Sequence, residues 1–256
     1  MLVAVASLAI PAAVRAMGAP DEPAVAIVAD FANTSRDRHM IVAQAATDAV
    51  ATELKKRGVY DVVSRREVDK TAAKLGIRQP YAPEDYTRIA KELGATLIVS
   101  GEVREINASI RGTERQVEVA LVVRAREAET GDMLNGAAVK AIASAPGGAK
   151  SEGELGIDAA ALAANRAASQ MEAYQPITGT IMNSVGNGPI MLNRGVSHGV
   201  KAKQEFIVLR AGKRVGRVQA RRPSSSYTEL DVLENGGGIQ PQDRVISLFP
   251  EPRFGR

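Results

Sequence analysis

The first 174 residues carry apolar positions in two kinds of pattern: short continuous runs, and stripes with helical spacing. Residues 24–31 form an apolar run that is typical of a buried strand. Residues 40–56 carry a helical stripe that ends in basic side chains before Gly58, which is how a helix commonly ends. The clearest helix is predicted at residues 82–95, where Pro83 suits the first helical position.

Further segments complete this part of the chain. The pattern predicts strands at residues 60–65, 96–106, 115–128 and 133–144, and helices at residues 68–75 and about 157–171. The glycine-rich residues 145–156 are predicted to form a flexible loop. The order β-α-β-α-α-β-β-β-α predicts one α/β domain at residues 22–174, built as a mixed sheet with helices packed on it.

Beyond Gln175-Pro176 the pattern changes to short strands with no helical stripe of useful length. These strands are separated by Gly, Asn, Pro and Ser, and their regular spacing predicts a small all-β barrel at residues 177–250. The predicted fold class is therefore α+β, with an N-terminal mixed-sheet α/β domain followed by a small C-terminal all-β barrel.

The N-terminus carries an apolar run from Leu2 to Val14, followed by small residues. A run of this length with an A-x-A-like end predicts a secretory signal peptide at residues 1–19, and it is too short to span a membrane as a helix. No Lys or Arg precedes the run, so a buried N-terminal helix stays open as the alternative.

Composition excludes several classes of chemistry. The chain contains no Cys, which removes disulfides, thiolate metal sites and cysteine nucleophiles. Aromatic residues make up 4% of the chain, so stacking platforms for nucleic acids or sugars are scarce. Residues 177–256 hold 12 Lys and Arg against 6 Asp and Glu, a net charge of 12 − 6 = +6, whereas the whole chain has a net charge of +4. The basic character therefore belongs to the C-terminal part.

Polar residues cluster where the first predicted strand ends, and such strand ends are where α/β proteins place ligands. The cluster comprises Asp30, Asn33, Thr34, Ser35 and Asp37. No glycine-rich phosphate motif follows it, so capping and turn formation are favoured over ligand binding.

Three other groups of residues are candidate sites. His39 and His198, the only histidines, are expected to be solvated rather than to bind metal, and no metal or cofactor site is predicted. Residues 235–238 read Asn-Gly-Gly-Gly and are expected to form a turn, because no helix follows to bind an anion.

The most interesting cations lie between residues 213 and 222. They could bind an acidic partner, lipid headgroups or peptidoglycan carboxylates, although a solvated strand face is the favoured alternative. The predicted partner-binding residues are Lys213, Arg214, Arg217, Arg221 and Arg222. Binding to nucleic acid is not expected, since no helix-turn-helix pattern is present.

Two stretches resemble known families. The segments VAIVADFANTS, ATELKKRGVYDVVSRREVDK and YAPEDYTRIAKELGATLIVSGEV resemble the CsgG family, whose namesake secretes curli, and the same layout looks like the N-terminal domain of TolB-type proteins and like the peptidoglycan-synthase activator LpoB. The segments ITGTIMNSVGNGPIMLNRGVSHGVKAKQEFIVLR and TELDVLENGGGIQPQDRVISLF resemble the C-terminal domain of the flagellar protein FlgT.

The resemblances imply a protein of the periplasm or outer membrane that acts without catalysis. The first hypothesis is an assembly or secretion accessory that contacts other envelope proteins or itself, as an oligomeric ring, with peripheral contact to outer membrane or peptidoglycan. The alternative is a monomeric regulatory module that activates a peptidoglycan synthase. An enzyme is disfavoured because no nucleophile–base pair or metal cluster is visible, and no small-molecule substrate is expected.

Overall fold

The computed structural model describes residues 23–36, 40–183, 189–211 and 213–255, which form two six-stranded sheets and four α-helices. The predicted signal peptide, Asp37 and His39 lie outside the described residues. The first part of the chain contains β1 (Val25–Val28), β2 (Ala32–Asn33), α1 (Met40–Lys56), β3 (Asp61–Val62), α2 (Arg65–Lys74), α3 (Pro83–Leu93), β4 (Leu97–Arg111), β5 (Glu114–Glu127), β6 (Met133–Pro146) and α4 (Glu152–Ala173).

The first sheet has the strand order β3-β1-β4-β5-β6, and β2 pairs with β4 outside this path. Strand β1 runs parallel to β3 and β4, whereas β4, β5 and β6 pair antiparallel. Helices α1 and α4 share a core with one face of the sheet, and α2 and α3 share a core with the other. This three-layer arrangement confirms the predicted mixed sheet with helices on it.

Local sequence explains where the helices begin and end. Pro83 occupies the first turn of α3, and Gly94 ends that helix in the left-handed conformation (φ 66°). Helix α4 begins at Glu152, inside residues 145–156, for which the sequence predicts a loop. Its start is fixed by a capping box in which Ser151 and Glu154 satisfy each other's backbone N–H groups.

Helix α4 packs closely on the sheet because its buried stripe consists largely of alanine. Six alanines of this stripe are fully buried: Ala159, Ala160, Ala163, Ala164, Ala167 and Ala168. Small side chains let the helix approach β5 and β6, where β6 presents alternating buried residues. The alanine-rich pattern therefore serves packing.

The second sheet is built from short strands, as predicted. It contains β7 (Thr178–Thr180), β8 (Ile190–Leu192), β9 (Glu205–Arg210), β10 (Lys213–Pro223), β11 (Thr228–Asn235) and β12 (Arg244–Ser247), in the order β7-β12-β9-β10-β11-β8. The coarse prediction of an α+β protein is confirmed. The predicted small all-β barrel is not shown among the described residues: the sheet is curled, and its end strands β7 and β8 pair in ladders with β12 and β11 but not with each other. They are joined by an isolated bridge from Ile181 to Leu192.

The two sheets contact each other near the turn between β5 and β6. Ile207, Leu209 and Ile246 of the second sheet pack with Leu134 of β6. The amide of Phe249 donates to the carbonyl of Met133 at 2.8 Å. The domain limits at residues 22–174 and 177–250 remain predictions.

None of the helices in the described ranges is both long and apolar enough to cross a membrane.

Candidate interaction site at the carboxyl end of the first strand

Asp30 lies two residues after β1 and is held by two side chains that the sequence does not place near it. Both carboxylate oxygens of Asp30 accept hydrogen bonds from the guanidinium of Arg65, with Nη2 at 3.0 Å from Oδ2. The Tyr86 hydroxyl donates to Oδ2 at 3.0 Å and accepts from the Asp30 amide at 2.9 Å. The end of β1 is thereby tied to the first residue of α2 and to the buried face of α3.

A second carboxylate extends this cluster. Asp69, one turn after Arg65 in α2, accepts from the Arg65 Nε at 3.2 Å and from the Tyr81 hydroxyl at 2.9 Å. The Tyr81 and Tyr86 rings meet edge to face with their centroids 5.6 Å apart. We call Asp30, Arg65, Asp69, Tyr81 and Tyr86 the Asp30 cluster.

Hydrogen bonding and burial shift the pKa values of Asp30, Arg65 and Tyr86 away from neutral pH. The hydrogen bonds that Arg65 donates to Asp30 lower the pKa of Asp30 and raise the pKa of Arg65. Desolvation by burial raises the pKa of Tyr86 to about 12. At pH 7, Asp30 and Arg65 therefore form an ion pair, and the Tyr86 hydroxyl beside them stays neutral.

A groove of about 620 Å³ adjoins the Asp30 cluster. Asp30 and Tyr86 lie at one wall, and the turn between β5 and β6, ending at Gly131, forms another. The groove is also lined by Tyr81, by Thr87 of α3 and by Ile98 of β4. The groove thus combines the rings of Tyr81 and Tyr86 with the Asp30 carboxylate, which Arg65 holds in place, and such a composition suits contact with another protein.

The other polar residues after β1 shape the turn, as favoured from the sequence. The Asn33 Oδ1 accepts from the Ser35 amide at 3.0 Å, and the Thr34 hydroxyl donates to the Val103 carbonyl at 3.2 Å. His198 lies in the second sheet region, where its Nδ1 accepts a hydrogen bond from the Gly195 amide at 3.3 Å within a short turn.

No group of metal-ligating side chains occurs in the described part of the chain.

The five predicted partner-binding cations all lie on β10, and four of them meet carboxylates. Arg214 contacts Asp132 at 2.9 Å and also Glu234, and Arg217 contacts Glu205. The two outer pairs are longer and more exposed: Arg221 lies 3.8 Å from Asp231, and Arg222 lies 3.9 Å from Glu229. Among the described residues, Lys213 has no carboxylate within 4.0 Å. The charges of these four arginines are therefore partly neutralised by neighbouring carboxylates. Partner binding by the five cations stays a prediction.

A larger cavity of about 1010 Å³ lies where the two sheets meet. It is lined by Arg126 and Tyr174 from the first part of the chain and by His198, Lys201 and Arg217 from the second. His198 and Arg217 therefore line the same cavity, a proximity that the sequence pattern does not predict.

Comparison with known proteins gives a family match. The model of the family described as peptidoglycan-synthase activator LpoB matches residues 3–134. No curated protein matches the chain significantly.

Solved structures show similarity at low identity. A lipoprotein, GNA1162 from Neisseria meningitidis, is 19% identical with a TM-score of 0.38, covering 55% of this chain and 95% of its own. The LpoB C-terminal domain from Escherichia coli is 16% identical with a TM-score of 0.35, covering 49% and 88%. The same domain from Salmonella enterica is 16% identical with a TM-score of 0.33, covering 46% and 82%.

The family match corrects the resemblance drawn from the sequence. The assignment to the CsgG family, with its link to curli, is wrong, and nothing supports a FlgT-like C-terminal domain. The quoted segments specify strands and helices in an order that several families share, and such a layout identifies a fold rather than a function. Because the LpoB match spans more than half of the 256 residues, the chain belongs to the LpoB family of peptidoglycan-synthase activators.

Proposed function

We propose that this protein activates a peptidoglycan synthase in the periplasm by binding to it, without catalysing a reaction itself. The observation that carries the proposal is the family match over residues 3–134. It favours the regulatory alternative over a secretion or ring-assembly role. The signal peptide predicted from the sequence agrees with a periplasmic location but lies outside the described residues.

The groove beside the Asp30 cluster is the proposed contact face for the synthase. All the residues that line it lie between Ala29 and Gly131, inside the range that the family model matches. The cavity between the two sheets takes much of its lining from residues beyond 134, so the family match supports it less. Tyr81 and Arg126 line the groove, and aromatic and arginine side chains are the types that dominate binding energy at protein interfaces.

The experiment is a glycan polymerisation assay with purified synthases from the same organism and lipid II as substrate. We expect the full chain to raise the rate of at least one synthase and to bind it in a pull-down. If it neither binds nor stimulates any bifunctional synthase of that organism, the proposal is wrong.

Two matched variants test the groove. Thr87→Arg adds a long cation at the groove wall, whereas Ala73→Arg adds the same side chain to an exposed position of α2 that does not line the groove. We expect Thr87→Arg to weaken binding by at least about tenfold, the loss that about 1.4 kcal/mol produces. Ala73→Arg should bind like the wild type. Equal binding by both variants would place the contact elsewhere.

A further inference from the structure

The β4–β5 hairpin extends beyond the rest of the first sheet and leaves one edge of β4 open. Strand β4 pairs with β1 only over Leu97–Val99 and with β2 at Glu102 and Val103. Its pairing with β5 continues to the last residue, where Arg111 lies opposite Glu114. In the described part of the chain, residues 104–111 therefore pair on one side only, over a length of about 27 Å.

All of residues 104–111 except Ile106 are exposed. Ile110 is 76% exposed, which makes it the most exposed large hydrophobic residue among those described. No proline interrupts residues 104–111, although proline is a common means of blocking strand addition. An unpaired edge of this kind is a template for another strand.

The edge sequence REINASIR is complementary to itself in one antiparallel register. When Ala108 lies opposite Ala108 of a second copy, Glu105 faces Arg111, Ile106 faces Ile110, and Asn107 faces Ser109. Each of these pairs occurs twice because the arrangement has two-fold symmetry. Opposite charges and paired aliphatic side chains are the combinations that stabilise neighbouring strands.

Neighbouring registers lack this complementarity. A shift by one residue in one direction places Arg104 opposite Arg111 and Glu105 opposite Ile110. A shift in the other direction places Ile106 opposite Arg111. A one-residue shift also moves the side chains of the second strand to the opposite face of the sheet, so that the isoleucines of the two copies no longer lie on the same face.

The register also suits the existing contacts. Ile106 packs against the core beneath α1 and α4, and Ile110 follows on the same side of the strand, so both isoleucine pairs would lie on the helix side of a continuous sheet. On the other side, Glu105 is 48% exposed while it contacts Lys140 at 2.8 Å, and it retains room for a second cation.

We propose that two copies of this chain associate through residues 104–111 of β4, paired antiparallel about Ala108, to form a continuous sheet across a two-fold axis. Such an isologous contact closes on itself and gives a dimer. The inference does not depend on synthase activation, and either can fail while the other stands.

Disulfide capture tests the register directly, because the natural chain has no cysteine. Neighbouring Cα atoms in antiparallel strands lie about 4.5–5.5 Å apart, inside the range that a disulfide bridges. We expect Ala108→Cys to form a covalent dimer under mild oxidation at least about tenfold faster than Ser144→Cys, since pairing raises the effective concentration. Ser144, on β6, is an exposed control position. Equal rates for the two variants would overturn the proposal.

Charge reversal tests the pairing without cross-linking. Analytical ultracentrifugation of the full chain should show a dimer that dissociates in Arg111→Glu and in Glu105→Arg. The double variant Glu105→Arg/Arg111→Glu restores opposite charges across the axis and should dimerise again, while circular dichroism checks that each variant is folded. A wild-type monomer at all accessible concentrations, or a double variant that stays monomeric, would refute the pairing.

Discussion

The ring of Phe31 lies against the backbone of Gly101 so closely that a Cβ at Gly101 would stand 2.4 Å from it. Phe31 is 5% exposed, and its amide donates to the Thr47 hydroxyl at 3.0 Å. Asp30, its neighbour, is exposed and faces Arg65. The Phe31 side chain therefore points into the core over Gly101, whereas the side chain of the preceding Asp30 points outward. Asp30 and Gly101 both line the groove, so this arrangement places the Asp30 cluster beside it.

Replacing Gly101 by alanine should destabilise the protein. The buried Phe31 ring cannot move aside freely, so Gly101→Ala is expected to lower the free energy of unfolding by about 1–3 kcal/mol, the usual cost of overpacking a core. Urea denaturation measures this. Gly153→Ala is the control, because a Cβ there meets no atom within 4 Å. If both variants unfold at the same urea concentration, the packing of the Phe31 ring does not require a glycine at position 101.

Acid should weaken the Asp30 cluster. The folded state lowers the pKa of Asp30 below 3.8, so the contribution of its carboxylate is present above about pH 4 and is lost as the pH falls through the folded-state pKa. Asp30→Asn should therefore lower the free energy of unfolding by less than about 1 kcal/mol at pH 7, as expected for a half-exposed ion pair. That cost should shrink towards zero at the lowest pH.

Chemical denaturation between pH 2.5 and 7 gives the comparison, with Asp48→Asn on the exposed face of α1 as the control. A difference between Asp30→Asn and wild type that does not change with pH would show that the charge of Asp30 is not what stabilises the cluster.

Arg214 should matter for stability more than the other predicted partner-binding cations do. The Asp132 side chain is 8% exposed, and removing Arg214 leaves that carboxylate buried without its cation. We expect Arg214→Ala to lower the free energy of unfolding by about 2 kcal/mol or more, whereas Arg221→Ala should change it by less than about 0.5 kcal/mol because its pair is exposed. Thermal or urea unfolding distinguishes the two. Equal small effects would favour a binding role for Arg214 over a structural one.

Features encoded within a few neighbouring residues could be predicted from the sequence. Helix α3 follows from Pro83 and Gly94, and the short strands of the second sheet follow from their spacing. Strand β4 was predicted to end at residue 106 but continues to Arg111, because pairing with β5 compensates for polar side chains that give no strand signal alone.

The candidate site depends on contacts between distant residues, which the sequence pattern does not reveal. Asp30 meets Arg65 across 35 residues and Tyr86 across 56. Arg217 likewise meets Glu205 only because β9 and β10 pair in one particular register. The sequence places Asp30 in a polar cluster at a strand end and favours capping or turn formation there, whereas the packed helices supply Arg65 and Tyr86 as its partners.

Alkali should reveal two buried tyrosines. Desolvation raises the pKa of Tyr60 to about 12, and it does the same for Tyr86. The neutral form is favoured by folding, so the stability that these hydroxyls contribute is present below about pH 10 and is lost as the pH rises through 12. Near-ultraviolet absorbance should therefore show that at least two of the five tyrosines, Tyr60 and Tyr86, resist ionisation until about pH 12 or until the chain unfolds, and burial also raises the pKa of Tyr81. Tyr86→Phe should remove one of these late transitions and leave that of Tyr60, whereas a single transition of all tyrosines near pH 10 in folded protein would contradict the burial of both hydroxyls.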